Sequence, residues 1–560
     1  MRSGHEHSAS SGSETLVAPE APIGDLPLLV KDKPPQIPNL LADDASLHAF
    51  VCKDIAERLE RPDAFQEVPS SKLLQGFLSG FLECYYRHHP FIHLATLSTT
   101  NTPSPLILAM CCIGALYRLD RRRAQRLYTL CTESITPHLL LSAYGALSGD
   151  KDMATSVLDE NGFYTLLYGK VRLALAAENA DMNKMAWDSW VRRESWKRLL
   201  VGIYVASTVH VIIWDANPNF NTCRDLELEV LHDETFWNAK TANEWSELRA
   251  NQPQQDYRTM RDGLASIISE TGSKNDGNSP KISIGSPRLS PLTALLLMHA
   301  VVVHTWQVVQ VAQALSPTTS LSSLGNDPVS SVLMGTAIRS LARCHELLVI
   351  AQTDIAGDPG YEEGTSQIFN CQATLRMAYI RLFSSPSNGF FNRPSLITLD
   401  DPAAIKSFVS TFSITKQERS PQLLDAVVKA FDGLRIPVRM GHMLVRKTAA
   451  LRWSPAHAIA GWDCALFVCK WVHSVEMDRL NGIMPSLPEQ DLLAAIADVL
   501  EEAEYDTGKR KSLAAGVART WSWLLQDVWV WSITPRMGAV LEQMATAFER
   551  VNEASPRPRT

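Results

Sequence analysis

The stretch Leu73-Leu74-Gln75-Gly76-Phe77-Leu78-Ser79-Gly80-Phe81-Leu82-Glu83-Cys84-Tyr85-Tyr86-Arg87-His88-His89-Pro90-Phe91-Ile92-His93 decides the fold class. Its apolar pairs Leu73/Leu74, Phe77/Leu78 and Phe81/Leu82 recur at close to helical spacing and so line one face. Pro90 ends the helix, because its ring pushes His89 out of the helical region. The same periodicity runs from Ser46 to about Leu248 and again from Pro291 to about Val551. The last segment is the cleanest. Met537, Val540, Leu541, Met544 and Phe548 share one face, and Pro535 suits a first helical turn. No run of alternating strands and no fixed-period repeat is present. The chain is expected to be all-α, a multi-helix, bundle-like domain in two helical parts, 46–250 and 292–555.

Two other segments read differently. Residues 1–45 are rich in Ser, Pro, Ala and Gly without periodicity, which predicts a disordered lead or linker. Residues 251–291 contain Thr271-Gly272-Ser273-Lys274-Asn275-Asp276-Gly277 and three Ser-Pro pairs beginning at Ser279, Ser286 and Ser290. This composition predicts a flexible linker. The Ser-Pro pairs suit turn chemistry, and the three serines are also candidate sites of proline-directed phosphorylation.

The chain has 560 residues, 45% of them hydrophobic, enough for a sizeable core. Its net charge of -7 argues against a chain that grips DNA unaided, since phosphate binding needs a positive excess. Ten scattered cysteines fit a reduced compartment, where Cys packs as a small hydrophobe. The polar first twenty residues do not resemble a secretory signal. The apolar runs Leu199–Trp214 and Leu292–Leu315 are respectively too short and too polar for a membrane span, which predicts buried helices and no membrane association.

No Cys-x-x-Cys occurs, so neither a zinc cluster nor a two-Cys two-His finger can be built. Cys469 and His473 share a helical face, but Cys464 points about 140° away. His88, His89 and His93 are separated by the Pro90 break. No phosphate loop, dinucleotide fingerprint, His-Glu-x-x-His or Gly-x-Ser-x-Gly is present. No catalytic, cofactor-binding or metal-ligating residue can therefore be named, no cofactor is implied, and the chain reads as a non-enzyme. Two basic clusters stand out: Arg118, Arg121, Arg122, Arg123 and Arg126, and Lys509-Arg510-Lys511. The first is the better candidate for nuclear import or phosphate contact.

The aromatic helix running into His88-His89-Pro90-Phe91-Ile92-His93 resembles the opening of the fungal-specific transcription factor regulatory domain. So does the segment Pro105–Tyr117 after it. The resemblance continues through Trp187, Trp190, Glu194, Lys197 and Arg198, then an apolar helix ending at Trp214-Asp215, then Trp237-Asn238-Ala239 and Glu244-Trp245. Glu194 and Arg198 lie one helical turn apart and can pair. Trp521-Ser522-Trp523 and Trp529–Gly538 are similar to the closing segment of members that carry two-Cys two-His zinc fingers. The order of motifs covers about residues 70–555. There are departures. Arg192-Arg193 precede the Glu, Trp196 intrudes, and Leu231-His232 stands where Leu-Pro is typical.

The resemblance implies a nuclear transcription regulator controlling a set of metabolic genes, with a specialised-metabolite biosynthetic cluster as one such set. It implies protein partners in the transcription machinery, DNA reached only indirectly or through a missing module, and room for a small-molecule effector. The alternative is a non-transcriptional helical protein or an enzyme of a metabolic cluster. Four motif tryptophans, Trp190, Trp214, Trp529 and Trp531, are expected in the core.

Overall fold

A computed structural model describes residues 44–98, 102–132, 138–159, 161–177, 185–218, 220, 222–250, 259–268, 290–315, 328–356, 365–384, 401–417, 419–439, 442–505 and 512–554. Residues 1–43, Ser279, Ser286 and Lys509–Lys511 lie outside the described residues. Every regular element among the described residues is helical, and the extended backbone is limited to one isolated bridge between Glu229 and Thr259. The chain is all-α.

The helix Ser71–Gly80 buries Leu74, Phe77 and Leu78, then runs on through a π-type turn, Phe81–Tyr85, and a 3-10 turn, Tyr86–His88. His89 leaves helical geometry at φ -138°, ψ 69°, as the following proline requires. The next helix, Ser104–Tyr117, is buried along almost its whole length. The two helices meet backbone to backbone at Gly114, where a Cβ would lie 1.8 Å from the Phe77 carbonyl oxygen. Only glycine tolerates that approach.

Helix starts follow local chemistry. Asp401 accepts a hydrogen bond from the Ala403 amide ahead of Pro402. Ser486 and Glu489 form a capping box at Leu487–Glu502. Ser290 accepts from the Thr293 amide at 3.2 Å, with Pro291 at the first helical position of Pro291–Leu315. Two charged side chains, Glu476 half-buried and Lys470 buried, close other ends. The Glu476 carboxylate accepts from the Leu513 amide (2.6 Å) at the start of Leu513–Gln526. Lys470 donates to the carbonyls of Phe412 and Thr415 at the end of Pro402–Ile414. Each sign suits the helix dipole it faces.

One hydrophobic cluster runs through both halves of the sequence, from Leu47 to Phe548. Trp531 packs edge-on against Tyr117 at 6.0 Å, and Arg519 ties the last two helices through Glu542 (3.0 Å) and Glu549 (2.6 Å). A second, smaller cluster gathers Trp190, Val191, Phe236, Trp237, Ala239 and Trp245. Two helices, Trp187–Trp214 and Pro291–Leu315, contain windows long and apolar enough to cross a membrane. In each window 78% of the residues are buried in the bundle.

Trp190, Trp214 and Trp531 are buried, as are Met537, Val540, Leu541, Met544 and Phe548. One expectation is corrected. Trp529 is 37% exposed, because it sits in the turn between Leu513–Gln526 and Ile533–Ala554 rather than on a helix face. The expected linker at 251–291 contains a helix, Met260–Ile268, that buries Met260, Leu264 and Ile267. Those residues form an i, i+4, i+7 stripe that the surrounding polar composition masked.

Gly114→Ala should lower the melting temperature, since overpacking a tight contact costs about 1–3 kcal/mol or more. Gly169→Ala is the control. A Cβ at Gly169 meets nothing within 4 Å, so alanine should hold or raise stability, by up to about 1 kcal/mol. Thermal unfolding of the two variants side by side checks the pair.

Candidate functional site

The motif residues Glu194, Lys197 and Arg198 share one face of Trp187–Trp214 and are all buried. Lys197 Nζ lies 2.7 Å from Glu194 Oε2, and Arg198 Nε 3.4 Å from Oε1. The His232 amide donates to Glu194 Oε1 at 3.0 Å, and His232 Nδ1 lies 3.0 Å from Oε2. A proline at position 232 would lack the amide donor, so the charge cluster needs a residue with a backbone N–H there. Burial alone would raise the Glu194 carboxyl. Lys197, the His232 contact and Arg198 overcome it and hold the group well below the usual carboxylate range. Arg198 also pairs with Glu234 at 3.2 Å and stacks over the Trp237 ring at 4.3 Å. The Glu234 carboxyl is pushed up by its burial.

Beyond this cluster the helix turns apolar and lines a cavity of about 90 Å³. Gly202, Ala206 and His210 form one wall; Tyr85 and His89, His299 of Pro291–Leu315, and Asn370 of Thr365–Phe383 face them. The lining is chiefly apolar, with imidazoles as its main polar groups. Burial lowers His89 and His210 to about 4 and His299 to about 3, so all three are neutral near pH 7. His299 is 3% exposed, and its Nδ1 has no hydrogen-bond partner among the described residues.

Behind the cavity runs a hydrogen-bonded chain. His88 Nε2 donates to the Arg452 carbonyl at 3.0 Å, and Asn370 Nδ2 donates to His88 Nδ1 at 3.4 Å. Ser454 Oγ donates to Asn370 Oδ1 at 2.8 Å and lies 2.9 Å from His457 Nδ1. His457 Nε2 donates to the Phe369 carbonyl at 3.1 Å. Of the three histidines near Pro90, His88 is thus spent in this chain, His89 lines the cavity, and His93 bonds Thr96 at 2.9 Å. Among the described residues no group of three or more His, Cys, Asp or Glu is arranged to hold a metal ion.

The basic cluster divides. Arg118 pairs with Glu83 at 2.7 Å, Arg123 pairs with Asp120, and Arg121 donates to the Trp529 carbonyl. Arg122 and Arg126 are exposed on Arg121–Thr132. Ser290 is buried at the helix start described above.

Residues 392–543 match the family model of the fungal transcription factor C-terminal domain. Zinc finger protein klf1 of Schizosaccharomyces pombe is 22% identical over 274 residues, covering 44% of this chain and 32% of that protein. Zinc finger protein zas1 of the same yeast is 22% identical over 253 residues, covering 40% of this chain and 27% of that protein. The match thus spans a third or less of either relative's length. No solved structure matches this chain. The matched region contains the buried Lys470, Trp521 and Trp531 and the Ser454 and His457 half of the hydrogen-bonded chain behind the cavity.

Glu194→Gln removes the carboxylate that faces buried Lys197 and leaves Arg198 with the Glu234 carboxylate alone, and should destabilise the fold by about 3–5 kcal/mol. The pH profile has a defined sign. The buried histidines titrate near 3–4 when folded and near 6.5 when unfolded. The unfolded chain therefore takes up protons first, and stability is full above about pH 6.5 and falls as pH drops towards 4. Glu194, depressed in the fold, adds a further loss below about pH 4.3. Melting temperatures from pH 7.5 to 4.5 should decline, and His299→Leu should flatten the decline.

Proposed function

We propose that this chain is the helical regulatory body of a fungal transcription regulator. It acts in the nucleus and controls a set of metabolic genes, with a specialised-metabolite biosynthetic cluster as the specific case. The match of residues 392–543 to a fungal transcription factor C-terminal domain carries this reading. The similarity to two zinc finger proteins supports it. The choice of metabolic genes follows from the resemblance described above, whose members control such sets.

DNA would be reached through a partner or a separate zinc module, since a net charge of -7 gives weak long-range attraction to phosphates. Protein partners in the transcription machinery would dock on the helical body. The cavity between Gly202, His299 and Asn370 would take a small, uncharged, largely apolar effector, because its walls offer neutral imidazoles and no free charge. Arg122 and Arg126, free of the ion pairs that hold Arg118 and Arg123, would serve import or phosphate contact.

Transcript profiling of a deletion strain tests the regulator. Coordinated change across many genes is expected, whereas loss of one product with unchanged transcripts would sink the reading. Purified chain should bind duplex DNA weakly, with steep loss in salt and little sequence preference. Arg122→Glu with Arg126→Glu should abolish nuclear accumulation of a fluorescent fusion while leaving its melting temperature within about 1 °C, as for surface substitutions.

Filling the cavity tests the effector. Ala206→Phe should weaken binding of a neutral probe, 1-decanol, at least tenfold by isothermal titration. It should leave the helical circular dichroism spectrum unchanged.

A further inference from the structure

A second cavity, of about 30 Å³, lies on the other side of the Thr365–Phe383 and Pro455–Leu480 pair. Its walls are two aromatic pairs. His457 stacks on Phe369 at 3.7 Å, and Trp453 stacks near-parallel to Trp521 at 6.3 Å. Trp521 lies so close to Gly461 that a Cβ there would sit 2.5 Å from its ring. Gly433 and Pro437 of Pro421–Arg439 complete the rim.

Into this apolar setting comes one guanidinium. Arg376 lines the cavity and lies flat along Gly433, whose added Cβ would meet its Cδ at 2.9 Å and Nε at 3.0 Å. It makes no ion pair or hydrogen bond among the described residues. The carboxylate that acts on it, Asp432, is already paired with Arg435 at 2.6 Å. Arg376 is half-buried, and burial lowers its pKa. An unpaired cation in such a place is costly unless something compensates it.

A second group has the same deficit. Trp453 is 3% exposed, and its indole Nε1–H has no acceptor among the described residues. Buried donors are normally satisfied. His457 supplies no charge, since burial holds it neutral and its Nε2–H goes to the Phe369 carbonyl. The cavity therefore offers a guanidinium and an indole N–H without acceptors, between flat aromatic walls, and no carboxylate of its own lines it.

We propose that this cavity binds a small organic carboxylate, its oxygens held by the Arg376 guanidinium and the Trp453 N–H and its apolar part set against Phe369, Ile436 and Trp521. An Arg fork matches a planar carboxylate in two parallel hydrogen bonds. The small volume and aromatic walls favour a compact, flat acid over a phosphate ester or a long chain. This inference does not rest on the chain being a regulator. Failure of the titration below would leave that reading untouched, and an unchanged transcriptome in the deletion strain would leave this site untouched.

The test uses the full chain and three probes: benzoate, its neutral analogue benzamide, and acetate. Isothermal titration should give one saturable site for benzoate, with benzamide at least tenfold weaker and acetate weaker than benzoate. Saturating benzoate should raise the melting temperature, as ligand linkage requires. Arg376→Met should weaken benzoate at least thirtyfold while keeping or raising the melting temperature of the free protein, since it removes an unpaired charge. Arg376→Lys should fall between, and Trp453→Phe should weaken benzoate several-fold. Equal affinity for benzoate and benzamide, or undiminished benzoate binding in Arg376→Met, overturns the proposal. Should Arg376→Met fail to fold, the benzoate-to-benzamide ratio and Trp453→Phe decide it, a ratio near one being fatal.

Discussion

The buried Glu194 carboxylate is the interaction on which the rest of the N-terminal half depends. Taking a carboxylate, an ammonium and a guanidinium out of water costs several kcal/mol per ion. It is tolerated here because each partner is fixed by backbone. Lys197 also donates to the Val230 carbonyl at 3.0 Å, and Arg198 to the carbonyls of His232 at 3.1 Å and Pro90 at 3.4 Å. The cluster thus pins three things to one helix: the corner at Pro90, the loop 230–234, and the tryptophan-rich satellite core. At the far end of that helix Asp215 takes a left-handed conformation, φ 52°. It accepts from Trp306 Nε1 at 2.8 Å and Arg381 Nη1 at 2.6 Å, both in the C-terminal half. One helix therefore carries a polar clamp near each of its ends.

The helices were legible in the sequence because their signals are local. The spacing of Leu74, Phe77 and Leu78, the Pro90 stop and the one-turn Glu194–Arg198 pair all act within a few residues. Trp529 misled because an aromatic in a motif carries no mark of whether it lies on a helix or in a turn. Met260, Leu264 and Ile267 were missed because nine helical residues are outweighed by the polar composition around them. The cavities were not legible at all. Asn370 and Ser454 are 84 positions apart, and Arg376 is unusual only for the partner it lacks. His299 left a trace, as a polar residue interrupting an apolar run, but nothing local distinguished it from a satisfied core histidine.

The two cavities share their partition. Asn370 lines the larger and His457 the smaller, and the Ser454 hydroxyl stands between them with one proton for two acceptors, Asn370 Oδ1 and His457 Nδ1. That hydroxyl can serve only one of them at a time. The partition is also where the region matching the transcription factor C-terminal domain meets the rest of the bundle, since Ser454 and His457 belong to the matched span and His88 and Asn370 do not.

The closing contact between Arg121 and Trp529 spans 408 positions, and the cluster containing Phe548 also contains Leu47. A core joined over such a separation cannot close while the chain is still being synthesised. Residues near position 120 emerge from the ribosome with their partners still untranslated. At about 5–20 residues per second, the apolar faces around Tyr117 wait tens of seconds for Trp531. Abundance in the cell is then set by how well chaperones shield those faces during that interval, as much as by the stability of the finished fold.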